Sequence, residues 1–240
     1  MFRSFTRTAA IGLAALGLAV STAAPAEETK AVRDAQGLWA YTLLKAGRSG
    51  QEMPLTGVIL YKDGLFLQQA IFDGEPFEAQ GAMAHAGTFG PGERGIHMVA
   101  EQTIGIDPTK QPALNFRRDT QHEIAVTREG DALTLVFGSG TVQKFRQIGP
   151  ADGDIYKLEQ GALALVDGYF VLVSGDEKGV VTGYGKATKQ GDGYALEVIR
   201  WSEATPAKAI NRKAGVIKAR FDGKSFTLAD GRSFKVVPKN

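Results

Sequence analysis

The chain has 240 residues, 43% of them hydrophobic and 22% charged, with 30 glycines, 9 prolines and no cysteine. It is too apolar for a disordered chain and too sparsely charged for a coiled coil. Without cysteine there are no disulfides, thiolate nucleophiles, iron–sulfur clusters or cysteine-bound zinc.

Residues 1–26 read as a secretory signal peptide. Arg3 and Arg7 give a positive start, residues 9–20 form an uncharged apolar run, and Ala24-Pro25-Ala26 supplies the small residues a signal peptidase reads. The apolar run is shorter than the ~20 residues a membrane-spanning helix needs. The sequence therefore predicts a periplasmic or secreted chain starting near Glu27, with no transmembrane anchor. Removal of the two arginines turns the formal charge of +2 into zero. That argues against nucleic acid as a partner, because such binding relies on excess Lys and Arg.

An internal repeat organises the remainder. GVILYKDGLFLQQ (57–69) matches GALALVDGYFVLV (161–173), and GIHMVAE (95–101) matches GYALEVI (193–199). PALNFRR (112–118) matches PAKAINRK (206–213), and GDALTLVFGSGTVQKF (130–145) matches DGKSFTLADGRSFKVV (222–237). Four matches in one order indicate a duplicated unit. The expected organisation is a β unit at 27–148, a linker at 149–153 and a shorter β unit at 154–240.

The apolar period is two. Ile96, Met98 and Ala100 alternate with His97 and Val99, and Leu133 and Leu135 alternate with Thr134. Asp63-Gly64 and Asp167-Gly168 are Asp-Gly hairpin turns between apolar runs. The fold class is therefore all-β: tandem antiparallel barrels or bent sheets, or alternatively one larger barrel or sandwich built from both halves. The strands at 58–67 are apolar on both faces, more than one packed face requires, which points to an open apolar mouth.

Unit one carries further motifs. Gly37-Leu38-Trp39 is a Gly-x-Trp opening, followed by the LYKDG hairpin (60–64), HAGTF (85–89) and GDALTL (130–135). On these residues, about 34–148, the chain resembles the bacterial secreted lipocalin-like domains, of the calycin type. The resemblance implies a small β-barrel that takes a small apolar ligand at its mouth. The second unit keeps the hairpins but opens at Asp154-Ile155-Tyr156 in place of the tryptophan.

The sequence offers few chemical groups. His85, His97 and His122 are not spaced as metal ligands, so no metal is expected. GPGERG (90–95) fits a dinucleotide-binding pattern but precedes a strand, and it reads as a turn. No cofactor is expected. The basic residues Lys208, Arg212, Lys213, Lys218 and Arg220 read as a solvated hairpin.

Tyr61, Phe66, His85, Phe89, His97 and Glu101 are the candidate ligand-contacting residues, with Glu101 a possible partner fixing the tautomer of a histidine. The leading functional expectation is an exported binder of a small, largely apolar molecule. One alternative is a cyclase, isomerase or lyase using His85 or His97 with Glu101 or Tyr61. The other is an interaction module in which residues 27–150 (12 basic, 15 acidic) and 151–240 (14 basic, 11 acidic) attract one another.

Overall fold

A computed structural model of the chain describes residues 29–238. The signal segment expected at 1–26 lies outside them. A short helix, α1 (Lys30–Ala35), precedes nine strands: β1 (Gly37–Lys45), β2 (Leu55–Lys62), β3 (Leu65–Phe72), β4 (Ala82–Gly92), β5 (Gly95–Ile106), β6 (Leu114–Arg117), β7 (Thr120–Glu129), β8 (Ala132–Phe137) and β9 (Val142–Gly149). All pairings are antiparallel. β1 to β5 follow one another, β5 passes to β7, and β9 returns to β1, which closes an eight-stranded barrel. β6 pairs β5 outside the ring.

The second unit repeats this topology. Its strands are β10 (Gly153–Leu158), β11 (Gly161–Val166), β12 (Tyr169–Asp176), β13 (Gly179–Gln190), β14 (Gly193–Thr205), β15 (Lys208–Arg212), β16 (Val216–Phe221), β17 (Ser225–Leu228) and β18 (Ser233–Lys235). β14 pairs both β15 and β16, as β5 pairs both β6 and β7. The bulge between Ala86 and Gly87 in β4 has its counterpart between Tyr184 and Gly185 in β13. This sheet forms a curled half-barrel whose ends meet at a single bridge, Leu158 to Val236.

The hairpin turns form where Asp-Gly occurs. Asp63 and Gly64 have φ of 50° and 74°, and Asp167 and Gly168 have 49° and 72°. Both residues of such a turn need positive φ, which Asp tolerates and Gly adopts freely.

Three apolar cores result. One fills the first barrel and one lines the half-barrel. The third lies between the units: Leu60, Leu67 and Ile71 of β2 and β3 meet Ala164, Val171 and Val173 of β11 and β12. Each of these strands therefore buries one face inside its own unit and the other against its neighbour. This corrects the open-mouth reading of the strands at 58–67, since the second apolar face is covered by the second unit. The connection at 149–153 is fixed too. Ala151 is buried in the joint core, and the Asp167 carboxylate accepts from the amides of Ala151 (2.8 Å) and Asp152 (3.0 Å).

Among the described residues, no helix is long and apolar enough to cross a membrane.

Candidate functional site

The two ends of the first barrel differ. At one end α1 packs against β4, β5 and β7 and sends Val32 and Ala35 into the core. The Trp39 indole donates to the Ala35 carbonyl at 2.8 Å, and Arg128 lies over the same ring at 5.0 Å. Tyr61, Phe66 and Phe89 belong to this end. Tyr61 is 4.9 Å from Phe89 and 6.1 Å from Phe66, ring centre to ring centre, and its hydroxyl reaches the Met98 sulfur at 3.1 Å. These aromatics fill the barrel. Burial keeps the Tyr61 hydroxyl protonated by raising its pKa above the ordinary phenol value.

The opposite end is polar. Gln68 of β3, His85 of β4 and Thr103 of β5 stand directly opposite one another across three strands, on the inward face. Gln68 donates through its amide nitrogen to the Tyr41 hydroxyl. Thr103 and Thr120 share a hydroxyl–hydroxyl bond of 2.5 Å. His122 faces inward opposite Met98, with its ring 5.5 Å from Phe137. Gln143 lies opposite Leu135 and Leu44, again inward. Tyr41, Gln68 and Gln143 are buried, whereas His85, Thr103, Thr120 and His122 are partly open at the rim.

Two buried atoms at this end have no hydrogen-bond partner, His85 Nδ1 and Gln143 Oε1. Such atoms normally cost about 1–3 kcal/mol each. Burial, and then the neighbouring His122, pull the His85 pKa down to about 4. The ring is therefore neutral at pH 7 and can give or take one hydrogen bond at each nitrogen. Burial and then His97 lower the His122 pKa in the same direction. Burial raises that of the Tyr41 hydroxyl, which stays protonated.

The second unit shows what this row looks like when it only packs. The positions equivalent to Gln68, His85 and Thr103 are Leu172, Gly183 and Trp201, paired in the same register. Trp201 is fully buried over Gly183, where an added Cβ would fall 2.4 Å from the Trp201 ring. The position equivalent to His122 is Ile217. Four polar or permissive positions in one copy thus correspond to an apolar fill in the other.

The remaining predicted site residues lie elsewhere. His97 is on the outer face of the barrel, its Nδ1 2.6 Å from Glu123 Oε1. The bond from His97 is the main reason the Glu123 carboxyl titrates below its ordinary value. Glu101 sits beside the bulge and pairs outward with Lys157 at 2.8 Å. The carboxylate that orients His97 is therefore Glu123 and not Glu101, because strand pairing sets His97 opposite Glu123. Of the six expected residues, only His85 belongs to the polar end. Tyr41, Gln68, Thr103, His122 and Gln143 complete it. They were legible in part, since the repeat aligns Gln68 with Leu172, and a glutamine where the copy has leucine marks an inward polar position.

Two clefts of about 560 and 480 Å³ lie on the half-barrel. In the first, Arg232 is paired with Asp230 (2.6 Å) and Glu203 (3.2 Å), and Ser174 donates to the Gln160 carbonyl (2.6 Å). Its polar side chains are engaged with one another, unlike those of the barrel end. Among the described residues, no three His, Asp or Glu side chains converge as a metal site.

The chain matches no protein-family model, no curated protein and no solved structure.

Proposed function

We propose that this is an exported binding protein, and that the polar end of the first barrel takes a small, largely apolar molecule carrying one polar group. The observation that carries the reading is the contrast between two copies of one row. Where the second unit fills its interior with Trp201 over Gly183, the first holds Gln68, His85 and Thr103. Packing alone favours the apolar version, because every buried polar atom must find a partner or cost stability. A ligand that supplies those partners would offset the cost.

Two further points support the reading. A closed eight-stranded antiparallel barrel stoppered at one end by a short helix accords with the resemblance to lipocalin-like domains. Export rests on the pattern of residues 1–26. The enzyme alternative is left with His85 alone as a general base, since Tyr61 is held in the filled end and His97 with Glu123 faces outward.

The test is native mass spectrometry of the protein purified from its own exported compartment, alongside Thr103→Trp, which copies the second unit. Wild type should carry a small-molecule mass that the variant lacks. The reading fails if no mass co-purifies and a panel of lipids, aromatics and tetrapyrroles shifts the melting temperature of neither protein.

A further inference from the structure

The chemistry of the barrel end restricts what a ligand there presents. Among the described residues, the inward positions of the strands at this end hold no Asp, Glu, Lys or Arg. Arg128 belongs to the opposite, stoppered end, over Trp39. A ligand carboxylate or ammonium placed beside His85 and Gln143 would lose its hydration and meet no counter-charge. That cost exceeds what neutral hydrogen bonds return.

The hydrogen-bonding capacity is equally particular. Gln143 Oε1 is an acceptor with no donor, on a side chain 6% exposed. His85 Nδ1 has no partner either. Tyr41 accepts from Gln68 through its oxygen, which leaves its hydroxyl hydrogen to give. The site thus combines an acceptor that needs a donor with a donor that needs an acceptor. One hydroxyl group serves both.

We infer that the first barrel selects an uncharged ligand bearing a hydroxyl group, an alcohol or a phenol, over the matching acid or ether. Gln143 and Tyr41 recognise that hydroxyl, and His85 sits beside it as a neutral ring. The inference rests on the binding function proposed above and adds the class of ligand.

Three probes of one shape separate the possibilities: 4-ethylphenol, 4-ethylanisole, which cannot donate, and 4-ethylbenzoate, which is charged. Calorimetry on the full-length exported protein should give 4-ethylphenol an affinity at least tenfold above both others. In protein labelled with 15N at histidine, the His85 ring signals should move with the phenol. Gln143→Leu should reduce the preference for phenol over ether to below threefold. Gln143→Asn, which keeps the amide, should hold an intermediate preference and guard against a merely misfolded variant.

Equal or tighter binding of the ether or the benzoate overturns the hydroxyl selection and leaves the binding function standing. Phenol preference unchanged in Gln143→Leu also overturns it, since recognition then lies elsewhere. If none of the probes binds and Thr103→Trp changes nothing, both the selection and the binding function fall.

Discussion

His85 ties the polar end of the barrel to the acid stability of the whole fold. In the folded chain its pKa is about 4, lowered by burial and then by His122; in the unfolded chain it takes the ordinary histidine value of about 6.5. Between those values the unfolded chain binds more protons than the folded one, so stability falls as pH falls. The loss is absent above about pH 7 and amounts to about 2 kcal/mol at pH 5. It levels off at about 3 kcal/mol below pH 4. For a chain of this size, 2 kcal/mol corresponds to a fall in Tm of about 4–8 °C. Glu123 acts in a lower window, because a carboxyl held below its ordinary pKa loses its contribution only as the pH drops beneath the usual carboxylate range.

Thermal melts from pH 8 to pH 5 on wild type and His85→Leu measure the effect. The variant should show half the wild-type loss or less, with the half-buried His122 supplying the remainder in the same direction. A wild-type His85 titration midpoint near 6.5 by NMR, or the same pH slope in both proteins, would refute the buried neutral ring.

The other expectations follow from the joint core, the repeat and the leader. Leu60 points at the second unit and not at solvent, so Leu60→Asp should cost about 4 kcal/mol or more in urea unfolding; a loss under 1 kcal/mol would mean the units do not bury it. Gln69 is fully buried in the same region with both amide atoms partnerless, where the repeat has Val173, so Gln69→Leu should gain about 1–3 kcal/mol. Gly183→Ala should push Trp201 off its seat, costing about 1–3 kcal/mol with a red shift of tryptophan emission, and an unchanged spectrum would count against the close approach. Intact mass of the exported protein should give a start near Glu27; a retained Met1 would end the export reading.

Much of the fold was legible because its causes are local. Period-two alternation placed Ile96, Met98 and Ala100 inward and His97 outward, and strand pairing bears this out. Asp63-Gly64 and Asp167-Gly168 marked their hairpins because positive φ leaves few residue choices. The duplication fixed two units in place of one merged barrel. What covers a second apolar face is not local. Val58, Leu60 and Leu67 read the same whether they meet a ligand or another sheet, and only the chain's path shows Val171 and Val173 lying over that face. The site was split for a similar reason. Which carboxylate meets His97 depends on the register of β5 against β7, and that register lies in neither strand alone.

Buried polar cost by itself does not mark a site, and two glutamines in this chain show why. Gln69 and Gln143 both hold partnerless amide atoms, and both reduce stability for the same reason. Gln69 is enclosed on every side by the chain, with Val58 and Ala84 beside it in register and the second unit above. Gln143 lies at a barrel end whose rim, at His85, Thr103, Thr120 and His122, is partly open. Only the second is reachable by a molecule from solution. The repeat adds a separate argument. Of the two copies, the half-barrel closes its row with Trp201, and the indole nitrogen is itself satisfied by Glu203 at 2.7 Å. That copy behaves as support: its outer face covers β2 and β3, and its inner row is complete. The first copy is then free to keep an incomplete row, because the stability it gives up inside the barrel is offset by the core it shares with its neighbour.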